Sequence, residues 1–207
     1  QNHPAVVACV AIHPNDAARA GDRLPAELDA LEALVADEHV RGIGETGLDY
    51  FRTRDDEGKR LQKHSFAAHL AWAREHDLAV VVHDRDAHAD ILDVLDAEGV
   101  PDRFMMHCFS GDADFARQCL DRGAWLSFPG TVTFKPNHAL REAFDLTPDD
   151  RLLVETDAPY LTAAWQAQCV VPDAVDRPVS GRAPRRRPGR LLPAAGRQRD
   201  RPVRRLG

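Results

Sequence analysis

The chain has 207 residues, 29% charged and 43% hydrophobic, with a formal net charge of −6. That length suits one large domain or two small ones, and no run of 18 apolar residues could span a membrane. The four cysteines, Cys9, Cys108, Cys119 and Cys169, show no paired spacing. With no basic leader before them, a reduced, cytoplasmic setting is expected rather than a disulfide framework.

The net charge conceals two unlike parts. Residues 165–207 hold 11 Arg against 3 Asp, which leaves 16 basic and 30 acidic residues in 1–164. An acidic body lacks the basic surface of a general nucleic-acid binder but suits carboxylates gathered round a divalent metal.

In chain order, the apolar, β-branched run at 6–12 predicts a buried strand ending at His13-Pro14. Leu28, Leu31, Leu34 and Val35 predict a helix over 25–37, with Pro25 in its first turn. A short strand at 41–46 ends on Glu45. A long helix follows over 55–76, with Leu61, Phe66, Leu70 and Trp72 on its apolar face. His64, His69, His76 and His88 lie on charged helices and are taken as surface residues. The strand at 79–83 ends on His83, a helix spans 86–98, and the strand at 104–109 carries His107 near its end. A helix at 112–122, a strand at 125–128, a helix at 137–145 and a strand at 152–154 complete the pattern. The last strand reads as buried on both faces and runs into Glu155 and Asp157, an acid pair in need of a cation.

Six strands separated by helices imply a parallel α/β sheet with right-handed crossovers. An open doubly wound sheet and a (β/α)8 barrel both fit that alternation. The strand ends favour the barrel, because Glu45, His83, His107 and Asp157, with His13 nearby, converge from different strands as at a barrel mouth. A whole barrel takes about 250 residues, so this one is expected to be incomplete, with about six of eight βα units, in a domain spanning 1–164. From residue 165 onward Arg, Pro and Gly dominate. Such composition buries too little to offset chain entropy, and this tail is expected to be disordered or out of frame, although an arginine-rich tail could also bind nucleic acid.

Each site residue has a bland alternative. A lone histidine after a strand is commonly a hydrogen-bonded structural residue, and Glu45 or Asp157 alone could cap a turn or helix. Together, two histidines and two carboxylates at four strand ends form an N/O ligand set suited to Mg²⁺, Mn²⁺ or Zn²⁺.

The motifs GETGLDY (44–50), HDRDA (83–87), HCFSG (107–111) and ETDAPY (155–160), with IHPN at 12–15, resemble those of the TatD family of metal-dependent hydrolases over about residues 3–163. The resemblance implies a (β/α)8 barrel of the amidohydrolase type holding two divalent metal ions. It implies DNase activity on DNA or another phosphodiester, with a metal-bound hydroxide as nucleophile. Glu45 would bridge the metals, His83 and His107 would bind one, and Asp157 would bind the other and position the water. His13 and Arg85 would lie near the scissile phosphate, and a monomer with no membrane attachment is expected.

Two departures qualify this. The family's opening His-x-His pair occurs nowhere in the chain, so an N-terminal truncation is expected, leaving the Asp157 metal two ligands short. Residues 166–178 can also be encoded so that reading one nucleotide later gives Arg-Pro-Asn-Ala-Ser-Tyr-Leu-Met-Pro-Ser-Thr-Val-Arg. That resembles the family's continuation and points to a frameshift near Thr162–Gln166. An inactive remnant, and an amidohydrolase acting on amides or lactones, are the alternatives.

Overall fold

In the computed structural model, residues 6–157 are described. Pro159, Tyr160 and the arginine-rich tail, with its frameshift reading, lie outside them. Six parallel strands alternate with helices: β1 (Ala8–Val10), β2 (Val40–Asp49), β3 (Ala79–Arg85), β4 (Phe104–Met106), β5 (Trp125–Phe128) and β6 (Leu152–Val154). Between β1 and β2 lie α1 (Pro14–Ala20), a 3₁₀ turn (Gly21–Arg23) and α2 (Leu24–Val35). The later crossovers are α3 (Asp56–Glu75), α4 (His88–Glu98), α5 (Ala113–Asp121) and α6 (His138–Leu146).

The strand order is sequential, β1 to β6, with every pair parallel. A doubly wound sheet reverses its order at a switch point; a sheet that always steps the same way keeps every right-handed crossover on one face. The expected choice of a barrel arc over an open sheet therefore holds. On the helix-covered face, Ile43, Val80, Val82, Phe104, Met106, Leu126 and Phe128 are buried against Phe66 and Leu70 of α3, Ile91 and Leu95 of α4, and Ala116 and Cys119 of α5. Each such large side chain contributes about 1.5–3 kcal/mol. Along β3 this face alternates with Val81, His83 and Arg85, which are less buried and look the other way.

Several boundaries differ from expectation. The run at 6–12 forms only a three-residue strand, and Val6 and Val7 are 65% and 58% exposed. Apolar β-branched composition marks a strand without saying how many neighbours it has, and β1 pairs only with β2 among the described residues. The last strand is likewise not buried on both faces, since Leu152 and Leu153 are half-buried and Val154 is exposed. The strand at 104–109 ends at Met106, because the chain turns at Cys108 with φ of 47°. Helix α1 was not foreseen: its N-cap is His13, and Pro14 fills its first turn.

The histidine reading also needs correction. His64 and His76 are exposed as expected, and His88 is half-buried, but His69 is fully buried. Its Nε2 accepts the Ile12 backbone N–H (3.2 Å), so its neutral tautomer carries the proton on Nδ1, which donates to Thr46 Oγ1 at 2.7 Å. This one imidazole ties α3 to β2 and to the loop after β1. A charged face on α3 hid it, because its partners come from distant elements.

Burial holds the His69 pKa at about 3, below its ordinary 6.5. The unfolded chain therefore takes the proton first. The contribution is complete above pH 6.5 and is lost as pH falls from 6.5 toward 3, at up to about 1.4 kcal/mol per pH unit. Urea unfolding of the wild type and of His69→Gln, which cannot take the proton, should show the steeper loss between pH 6.5 and 4 in the wild type. Parallel curves would contradict this account.

Candidate metal centre

The candidate residues lie on β2 and β3 and just beyond β4 and β6, and β2 delivers the central one through an irregularity. Its register with β3 passes from Ile43 opposite Val80 to Thr46 opposite Val82, so Gly44 and Glu45 together face Val81. Such a bulge re-aims a side chain. Ile43 and Thr46 both stay buried on the helix side, and Glu45 turns to the other face, beside His83. Two glycines make the close approach feasible. A Cβ on Gly44 (φ 156°) would lie 2.5 Å from Val81 Cβ, and one on Gly47 (φ 131°) would lie 2.1 Å from the His83 carbonyl oxygen.

Three imidazoles surround Glu45 Oε1: His83 Nδ1 at 2.5 Å, and His13 Nε2 and His107 Nε2 each at 3.7 Å. Burial opposes the Glu45 charge, but the His83 hydrogen bond and the nearby His83, His107 and His13 outweigh it, so its pKa is lowered. The carboxylate is held ionised where a cation would sit.

The three histidines are prepared differently. His13 Nδ1 accepts the Asn15 backbone N–H (3.2 Å) as the cap of α1, so its neutral ring carries the proton on Nε2. Though it falls within 4.8 Å of Glu45 and His83 in a ligand-like group, it faces the site as a hydrogen-bond donor. Burial, followed by the charge of His83, lowers its pKa. Its ring meets that of His83 edge-on at 4.9 Å. His83 Nε2 is buried without a hydrogen bond, 3.4 Å from Asp49 Oδ2. Asp49 is itself 1% exposed and held by the Asn15 side chain and the Arg52 backbone N–H.

His107 is oriented from behind. Its Nδ1 lies 3.0 Å from both oxygens of Glu155, hydrogen-bonding to Oε2, which Ser127 Oγ also donates to. Its Nε2 then points at Asp157 Oδ1 (3.4 Å) and Glu45. A carboxylate on one imidazole nitrogen that frees the other for a cation is a recurrent support of metal-binding histidines. Burial works against the His107 charge, but Glu155, Glu45 and Asp157 overcome it and raise its pKa. The Asp157 carboxyl is raised, first by burial and also by Glu155 and Glu45, against the pull of His107. Asp157 and Cys108, with φ of 49° and 47°, turn the chain abruptly at two strand ends.

All four residues expected as ligands, Glu45, His83, His107 and Asp157, thus meet at one mouth, with His13 against them. Arg85 lies two residues past His83 and is exposed. The set fits divalent metal on its own chemistry: oxygen and nitrogen donors of both charge types, with His83 Nε2 and Glu155 Oε1 buried without a hydrogen bond. Sequence reading paired Glu155 with Asp157 as acids in need of a cation but gave Glu155 no role of its own; it lies just past β6, which ends at Val154. Asp49 gave no such signal, since β2 was expected to end three residues earlier.

A family model described as TatD related DNase matches residues 1–191. The chain belongs to the TatD family. The metal-dependent hydrolase TatD of Mycobacterium tuberculosis is 46% identical over 160 residues, covering 76% of this chain and 60% of that protein. The 3'-5' ssDNA/RNA exonuclease TatD of Cronobacter turicensis is 40% identical over 153 residues, covering 72% and 56%. The solved structure of YJJV, a TatD homologue from Escherichia coli K12, matches with a TM-score of 0.72 at 27% identity, over 84% of this chain and 67% of that one. A TatD family hydrolase from Entamoeba histolytica matches with a TM-score of 0.64 at 26% identity, over 74% and 51%. The chain spans little more than half the length of the Mycobacterium and Cronobacter TatD proteins.

If Glu155 acts by orienting His107, Glu155→Gln should weaken Mn²⁺ binding by about 10–100-fold. Calorimetric titration checks this, and wild-type affinity in the variant would contradict the arrangement.

Proposed function

We propose that this chain carries the metal centre of a divalent-metal-dependent phosphodiesterase of the TatD type, acting on DNA. The observation that carries the reading is the ionised Glu45 carboxylate within 3.7 Å of three imidazole nitrogens from three elements. Family membership and the relative named as a nucleic-acid exonuclease support the substrate class.

In this reading Glu45, His83, His107 and Asp157 would hold divalent metal. Divalent ions in such a site acidify water and offset the charge of a phosphate. Mg²⁺, Mn²⁺ and Zn²⁺ all suit the donors. Asp157, its pKa raised first by burial, accepts the proton of the attacking water as a general base. His13 donates through Nε2 to a phosphate oxygen, and the exposed Arg85 guanidinium binds the phosphate charge. Glu155 and Ser127 keep His107 aimed.

Residues 1–164 form the hydrolase unit in this proposal, and 165–207 a separate tail. The chain is taken to be monomeric and cytoplasmic. No described helix is long and apolar enough to cross a membrane, and the Cys108 and Cys119 thiols, raised to about 12 by burial first, are poor nucleophiles.

With Mg²⁺ or Mn²⁺ supplied, hydrolysis of bis(4-nitrophenyl) phosphate and of a DNA oligonucleotide should fall by at least about a hundredfold in kcat/KM in Asp157→Asn, the loss expected for a general base. His107→Ala should fall comparably. Wild-type rates in both variants would reject the assignment.

A further inference from the structure

Next to the metal centre stands a feature that phosphodiester chemistry alone leaves unused. Phe51, in the loop after β2, is 47% exposed, and the Arg85 guanidinium lies over its ring, 4.0 Å from the centroid. Arg85 sits opposite Asp49 in the β2–β3 register, and its carbonyl accepts the Tyr50 N–H at 2.8 Å. The pair is therefore one step beyond the His83–Asp49 contact.

The loop is held in place. Asp49 accepts the Arg52 backbone N–H, Gln62 of α3 accepts the Asp49 N–H and donates to Thr53, and the Tyr50 hydroxyl donates to Asp90 of α4. On this fixed loop Phe51 is the one aromatic ring among the exposed large hydrophobics of the described residues, with the Arg85 guanidinium as its packing partner.

The charges around it are equally distinctive. Among the described residues, the side chains of Arg52, Arg54 and Arg85 make no hydrogen bond or ion pair. Every other described arginine has its guanidinium bonded to a carboxylate or a carbonyl. In a chain whose first 164 residues hold 30 acidic and 16 basic residues, the three free guanidiniums belong to one loop and the strand end beside it.

We infer that Phe51, with Arg85 against it and Arg52 and Arg54 nearby, is a stacking subsite that holds an unpaired base of a single-stranded nucleic acid next to the bond being hydrolysed. An exposed aromatic ring with a guanidinium on it offers a flat, sequence-tolerant platform, and free arginines beside it meet the phosphates. A base within a duplex has both faces covered by its neighbours and cannot use a lone ring, so the subsite selects single strands. The inference rests on the phosphodiesterase reading for its substrate, and it adds Phe51 as a positioning residue.

The test is a titration of a phosphorothioate-linked single strand carrying 2-aminopurine with the full chain in Mg²⁺, because this base loses fluorescence when it stacks. The wild type should quench it. Phe51→Ala should quench little and bind about tenfold more weakly, and Phe51→Trp should regain both. Equal quenching by Phe51→Ala, or none by the wild type, overturns the subsite. Quenching without hydrolysis of any phosphodiester would reject the phosphodiesterase reading and leave the subsite standing.

Discussion

A carboxylate half-buried among three imidazoles is the constraint on which the mouth of this sheet depends. Glu45 could not hold its charge there without partners, since burial alone drives its pKa upward. The partners come from the loop after β1, from β3 and from beyond β4, so those elements must end at a common level. The bulge in β2 and the two glycines beside it serve that requirement. One lets Glu45 face the mouth while Ile43 and Thr46 stay on the helix side, and the other lets the backbones of β2 and β3 touch at His83.

Behind the charged mouth, the fold fixes two of the three rings by a bond on the far side. The α1 cap engages His13 Nδ1 and Glu155 engages His107 Nδ1. A nitrogen that accepts leaves the ring's proton on the other, and one that donates leaves the other bare, so the two rings present opposite chemistry to the same space. The first donates, and the second is free to coordinate. His69, one layer out, uses the same logic for a structural end, joining α3 to β2 and the β1 loop in a site that excludes charge.

The repeating strand-and-helix order and the residues at the strand tips were legible because both are local. An apolar run that stops on Glu45, His83, His107 or Asp157 shows its strand and its candidate site residue in a few adjacent letters. What escaped was whatever depends on a neighbour. The exposure of Val6 and Val7 reflects a strand with one described partner, and the burial of His69 reflects partners 57 and 23 residues away. Glu155 was half legible, as the companion of Asp157 in the acid pair that follows the last strand. The extension of β2 to Asp49 follows its pairing with the far end of β3, which no local pattern in β2 announces.

The claim that joins these observations is that Glu45 is the shared ligand of a metal pair. Anomalous diffraction from crystals of this protein soaked in Mn²⁺ tests it most directly. The account predicts two peaks flanking the Glu45 carboxylate, one toward His83 and one toward Asp157, with His107 beside them. Peaks confined to surface carboxylates, or none near Glu45, would contradict it.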